Sequence, residues 1–190
     1  MRTSLATLRA EHVALQRVLR GATALVADAR ARRREPDFAL LRAMLFYLAE
    51  FPERHHHRKE SALLFPRLRA RTPLARHVLD HLDEDHLRGE ARIRELAHAL
   101  AAFEVLGESR RDAFEAALAQ YVAFYRAHVA LEEDEIFPLA ERVLLAADWD
   151  ELDAEFQVDR DPLTGADAQA PYARLAARLR AHLDGLFPVA

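Results

Sequence analysis

The chain has no cysteine among its 190 residues, which excludes a disulfide framework and any thiolate-held metal. Glycine is scarce, five in all, while Ala, Leu, Arg and Glu dominate, a composition that favours long helices over sheet. No apolar run approaches the roughly 20 residues that a membrane span needs, so no membrane partner is expected. Met1 to Leu25 alternates charge with leucine and lacks the apolar core of a secretory signal; together with the missing cysteine this makes the cytoplasm the expected location. Charge of one sign is lacking as well: the formal net charge is −4 and no acidic or basic block dominates either half. The short cluster Arg30, Arg32, Arg33 and Arg34 abuts Glu35 and Pro36 and reads as the cationic end of a helix, where the dipole favours it, so no nucleic-acid partner is expected. With 51% hydrophobic and 31% charged residues, the chain belongs with folded globular proteins, not disordered ones.

Histidine is what the sequence has in excess, ten in all, and the helices place them. Leu5, Leu8, His12, Leu15, Leu19 and Ala22 recur at steps of three and four, which predicts a first helix from Ser4 to Arg32 with Thr3 or Ser4 as its cap. A second helix starts near Asp37 and carries Phe38, Leu41, Leu45, Leu48, His56, Leu63 and Leu64; Pro52 and Pro66 should bend it on either side of the histidines. Thr72-Pro73 predicts the start of a third helix, with Leu79, Leu82, His86, Ile93 and Leu96 on its buried face. Ser109 with Asp112 resembles a capping box for a fourth, which runs through Phe114, Leu118, Tyr121, Phe124, Tyr125 and His128 to about Leu145. The expectation is an all-α, antiparallel up-down four-helix bundle over residues 1–147. A C-terminal helical extension, 148–190, would pack on it: a short helix from Asp148-Trp149 to Phe156, a loop from Asp159 to Pro171, and a last amphipathic helix from Tyr172 to Leu186.

Two segments repeat. His56, Glu60, Phe65 and Pro66 in the second helix recur as His128, Glu132, Phe137 and Pro138 in the fourth, both H-x3-E-x4-F-P; a chance second copy would arise at about 1 start site in 10⁵. The other two helices match as well, Leu5, Leu8, Glu11, His12 and Leu19 against Leu79, Leu82, Asp85, His86 and Ile93. The chain therefore reads as two helical hairpins, each giving one His and then one H-x3-E. Residues four apart share a helix face, so His56 with Glu60 and His128 with Glu132 can all point into the bundle. Inward Glu and His from facing helices build two-metal centres, and burying them unpartnered would cost several kcal/mol each. The candidate metal ligands are His12, His56, Glu60, His86, His128 and Glu132, with Glu60 and Glu132 as bridges. Two ions are expected, iron first, with manganese or zinc also compatible with imidazole and carboxylate.

These motifs resemble the hemerythrin-like family, also called the HHE cation-binding domain, from Ser4 to Leu145: Glu11-His12, His56 to Pro66, Asp85 to Glu90, and His128 to Pro138. The resemblance implies a four-helix bundle with a non-haem di-iron centre bridged by two carboxylates and a solvent-derived oxygen. Oxygen carriers of the family use five histidines, one more than the repeat supplies here. His81, in the ligand-like pair His77-x3-His81, and Glu90 are the outside candidates for a further ligand. His57 lies about 100° round the helix from His56 and is expected to face solvent or to support the site from behind. The branch of the family that repairs iron–sulfur clusters and responds to nitric oxide shows a similar two-half pattern, but carries an N-terminal cysteine segment that this chain lacks.

Spacing also suggests pocket residues: Leu8, Leu82 and Phe124 one turn before a ligand histidine, Tyr121 two turns before His128 as a hydrogen-bond donor, and Gly89 one turn after His86, leaving room for a small molecule. Core packing is the alternative for all five. Three functional readings stand. The first is a protein that binds or senses dioxygen or another small molecule such as nitric oxide or peroxide. The second is an enzyme of nitric oxide or peroxide detoxification, or of iron delivery for iron–sulfur repair, although the sequence shows no motif for a proton path or an electron donor. The third is a bundle that metal merely stabilises. A homodimer is compatible with all three.

Overall fold

A computed structural model describes residues 2–156, 160–165 and 169–186. Four helical arms run up and down. The first is α1 (Thr3–Ala31). The second is broken into α2 (Phe38–Leu48), α3 (His57–Lys59) and α4 (Phe65–Arg71), joined by π-helical turns over Ala49–His56 and Glu60–Leu64. The third is α5 (Arg76–Leu106). The fourth is α6 (Arg111–Leu131), a π-helical turn at Glu132–Ile136, and α7 (Phe137–Val143). Then come α8 (Ala146–Glu155) and α9 (Ala173–Leu186). The chain is thus an all-α four-helix bundle with further helices after it, and no strand occurs among the described residues. No helix among them is long and apolar enough to cross a membrane.

Where Pro52 and Pro66 are expected to bend the second arm, the helix widens into π-helical turns. Pro52 lies inside the first π-helical turn, and Pro66 opens α4 directly after the second. Such turns insert a residue into the α-helical count and re-aim the side chains beyond them, a device common at functional sites. All three flank or contain the repeated His and Glu positions.

Two apolar layers enclose those positions. Leu5, Leu8, Phe65, Leu79, Leu82, Phe137, Trp149, Leu152 and Phe156 form one; Leu15, Leu19, Met44, Tyr47, Leu96, Phe114, Tyr125, Leu179 and Leu183 belong to the other. The C-terminal helices therefore contribute to both layers. α9 reaches α1 at Gly21, where a Cβ would stand 2.6 Å from Leu183 Cδ2.

Four helix ends differ from the sequence reading. Neither Thr3 nor Ser4 caps α1; the Ser4 amide donates to Asp153 Oδ1 (2.7 Å), so the cap comes from α8, far along the chain. Thr72 Oγ1 accepts from the Leu74 amide (3.2 Å) in a turn, and α5 begins only at Arg76. Ser109 bonds back to the Leu106 carbonyl and Asp112 pairs with Arg30, so no capping box forms. Asp148 sits in the first turn of α8, where it accepts from the Leu145 amide and binds Arg71. Of the loop expected from Asp159 to Pro171, Asp159 itself and residues 166–168 lie outside the described residues.

The segment after α8 also carries a buried acid. Asp161 accepts from the Tyr47 hydroxyl and from the Leu163 amide (2.7 Å). Burial pushes its carboxyl up to about 6, against the lowering effect of these bonds. Folding thus favours protonated Asp161: its contribution is full below the ordinary carboxylate range near 3.8 and is lost as pH rises through about 6. Between pH 4 and 7 the wild type is expected to lose up to about 3 kcal/mol relative to Asp161→Asn, read from denaturant midpoints of the metal-free proteins. Parallel curves for the two proteins would refute this.

Candidate metal centre

The six residues singled out by the repeat converge between the two apolar layers, all buried. His12 Nε2 lies 3.1 Å from His56 Nε2 and 3.2 Å from Glu132 Oε2, and His56 Nε2 lies 3.4 Å from Glu60 Oε2. On the other side His128 Nε2 is 3.3 Å from Glu132 Oε1, while His86 Nε2 is 3.6 Å from Glu60 Oε2 and 3.9 Å from Glu132 Oε1. Each side gathers four donors with one atom apiece within 4.8 Å of one another: His12, His56, Glu60 and Glu132, then Glu60, His86, His128 and Glu132. The two glutamates are common to both groups.

His57 requires a correction. It is 4% exposed, stacks on His86 with ring centroids 4.1 Å apart, and forms a third donor group with His86 and His128. An angle of about 100° from His56 does not turn it to solvent. This arm packs between α1 and α5, and the buried stripe of such a helix is about 100° wide or more, so adjacent residues can serve one neighbour each. His56 turns to His12 and His57 to His86. Five histidines and two glutamates therefore meet here. The outside candidates do not: His81 is 49% exposed and faces Asp85, and Glu90 is exposed and pairs with Arg94. His77 and His98 are exposed too.

The outer nitrogens of three of the histidines are hydrogen-bonded, and those of the other two have a carboxylate nearby. His56 Nδ1 meets Glu11 Oε2 and His12 Nδ1 meets Glu133 Oε1, both at 2.8 Å; Lys59 also reaches Glu11 at 3.1 Å. His86 Nδ1 meets Ser61 Oγ at 2.8 Å, and that hydroxyl donates to Asp83 (2.7 Å). His128 Nδ1 lies 3.6 Å from Asp85, and His57 Nδ1 lies 3.2 Å from Glu53. A carboxylate behind an imidazole fixes its tautomer and raises its basicity toward a cation in front. The repeat has a part here as well. Glu11 and Asp85, each just before its own helix's histidine, reach the partner histidine in the same hairpin. Phe137 stacks on His12 (5.6 Å, 7°) and Phe65 on His86 (5.6 Å, 15°).

Gly89 leaves no free space. A Cβ there would stand 2.7 Å from Glu53 Oε2 and 2.9 Å from Oε1, so the glycine makes room for Glu53. Tyr125 and Tyr121 (3.1 Å) both donate to Glu53 Oε1. Tyr121 is a donor, as the spacing suggested, but to this carboxylate. Leu8 and Leu82 are core residues, and Phe124 lies against His128 (6.2 Å). Glu53 escapes notice in the sequence; the available signal is its place three residues before His56, matching Tyr125 before His128.

Electrostatically the centre is unbalanced as it stands. Burial and the charge of Glu132 push Glu60 well up. Burial would raise Glu132 too, but His128 and His12 hold it well below the usual carboxylate range. Burial opposes a charge on His128, yet Glu132 and Asp85 raise it to about 9. Both oxygens of Glu60 and of Glu132, both ring nitrogens of His57 and His128, and Nε2 of His86 are buried with no hydrogen-bond partner among the described residues. Inward-facing orphans of this number and type fit cations, and imidazole plus carboxylate suits iron, manganese or zinc. A groove of about 420 Å³ between α1 and α6, lined by Leu15, Arg20, Val122, Tyr125, Val129 and Glu133 among others, flanks the centre.

Comparison with known proteins agrees with the geometry. The family model described as the hemerythrin HHE cation binding domain matches residues 3–140, all four arms up to α7. No curated protein matches the chain.

Proposed function

The chain belongs to the hemerythrin HHE cation-binding family, and from that premise we propose that it holds two iron ions and binds or senses dioxygen, or a related small molecule such as nitric oxide or peroxide, between them. The observation that carries this reading is the shared pair, Glu60 and Glu132, with four orphaned oxygens between two groups of imidazoles. In it, His12 and His56 would hold one ion, His57, His86 and His128 the other, and the two glutamates would be shared between them. A bound iron pair would supply reversible one-electron change and Lewis acidity toward a small ligand.

The protein's own part is positioning and exclusion. Glu11, Glu133 and Ser61, itself bound to Asp83, hold His56, His12 and His86 by their outer nitrogens, so that the inner ones face the carboxylates; Asp85 and Glu53 lie 3.6 Å and 3.2 Å from the outer nitrogens of His128 and His57. Phe65 and Phe137 lock two of the rings from below, and the two apolar layers keep bulk water from the ions. No cavity for a large substrate is needed.

Metal analysis with an absorption spectrum tests the proposal. Aerobically purified protein should carry two irons per chain and absorb in the near ultraviolet, bleach on reduction, and recover on admitting dioxygen. A colourless protein that takes up only zinc, or no metal, overturns it.

A further inference from the structure

The sequence offers no electron donor to the centre; the structure places one against it. Tyr125 is 1% exposed and its ring lies parallel to His57 (5.8 Å, 8°), which in turn lies parallel to His86 (4.1 Å, 10°). It also meets the edge of His128 at 5.9 Å. Two of the proposed ligands are thus in ring contact with one phenol. Its hydroxyl donates to Glu53, which accepts from Tyr121 as well, and the two tyrosine rings are 4.9 Å apart.

We propose that Tyr125 gives one electron to the metal centre through the His57 ring, becoming a neutral phenoxyl radical as its proton shifts along the hydrogen bond to Glu53. The inference rests on the iron-pair reading above. With hydrogen peroxide as oxidant the step balances. The O–O bond breaks and two waters form on uptake of two electrons and two solvent protons. One electron comes from Tyr125 and one from an iron pair that holds a single ferrous ion, so that the pair ends fully ferric and no ferrous ion remains to reduce the phenoxyl. The phenolic O–H bond breaks and its proton stays on Glu53 Oε1.

Three features favour this over a merely structural pair of tyrosines. Satisfying Glu53 needs the hydroxyls but not a ring lying parallel to His57. Burial protects a radical from solvent. The hydrogen bond gives the proton somewhere to go without leaving the core, where a cationic phenol would be strongly disfavoured.

The test uses the full chain loaded anaerobically with iron, the content confirmed by metal analysis, oxidised by one electron per pair with a chemical oxidant, then mixed with hydrogen peroxide and frozen for electron paramagnetic resonance. A phenoxyl signal that narrows when ring-deuterated tyrosine is incorporated is expected. It should persist in Tyr121→Phe and Tyr47→Phe and fall to background in Tyr125→Phe. Should Tyr125→Phe not fold, the signal in Tyr121→Phe still decides, since Tyr125 is then the tyrosine left beside the centre. Peroxide consumed by iron-loaded wild type with no tyrosine radical, or a signal unchanged by Tyr125→Phe or lost in Tyr121→Phe alone, overturns the inference and leaves the iron pair standing. A chain that takes up no iron removes both.

Discussion

Glu132→Ala is expected to lose both metal ions together, and the near-ultraviolet absorption with them. Glu132 Oε2 is 3.2 Å from His12 Nε2, while its Oε1 is 3.3 Å from His128 Nε2 and 3.9 Å from His86 Nε2, so a single side chain serves both sides. Removing it leaves each ion short of a charged donor in a buried site, where the remaining charge is poorly compensated. Glu133 is the comparison that gives this meaning. It sits next in the chain but supports His12 from behind, so Glu133→Ala should lower affinity by only about 10–100-fold. Iron per chain by metal analysis, and the rise in melting temperature on adding metal, read both variants; for Glu132→Ala that rise should vanish. Retention of two irons in Glu132→Ala would refute the assignment of the shared glutamates.

The second large effect is expected at Gly89→Ala. The new Cβ would meet both Glu53 oxygens under 3.0 Å, and Glu53 cannot yield without breaking its bonds to Tyr121 and Tyr125 and its pairing with His57. Leaving buried partners unsatisfied costs about 1–3 kcal/mol each, while alanine returns about 1 kcal/mol of helix propensity. The net loss should be about 2–4 kcal/mol, a fall in melting temperature of about 5–10 °C for a chain of this size. In a Glu53→Ala background the same substitution should be neutral or mildly stabilising, because the clash is gone. Additive effects in the double variant would show that Glu53 is not what Gly89 accommodates.

Much of this is legible in the sequence because helices advertise their faces. Leu5, Leu8, Leu79 and Leu82 announce a buried stripe, and the paired H-x3-E-x4-F-P segments announce which polar residues share it. What stays hidden depends on more than one helix. His57 can be judged only by knowing that its arm has a neighbour on each side. The cap of α1 belongs to Asp153, which no local window contains. Gly89 reads as an opening because its occupant, Glu53, comes from a different arm. The F-P ending is visible as a repeat, but its use, one phenyl ring under one imidazole, requires the packed bundle.

The match between the hairpins is also incomplete in one direction. Val129 follows His128 where His57 follows His56, and Leu15 stands one turn after His12 where Gly89 stands after His86. These departures gather on the same side, where His57 and Glu53 are added to an otherwise matched frame. On the proposed assignment, an ion held by three imidazoles and one held by two would be different chemical addresses: with the two glutamates shared, the first has more nitrogens than oxygens and the second equal numbers of each. Ions competing for this protein would then sort between two unlike seats, and a heterobimetallic pair becomes an attainable state of a chain whose sequence looks, at first, like the same half written twice.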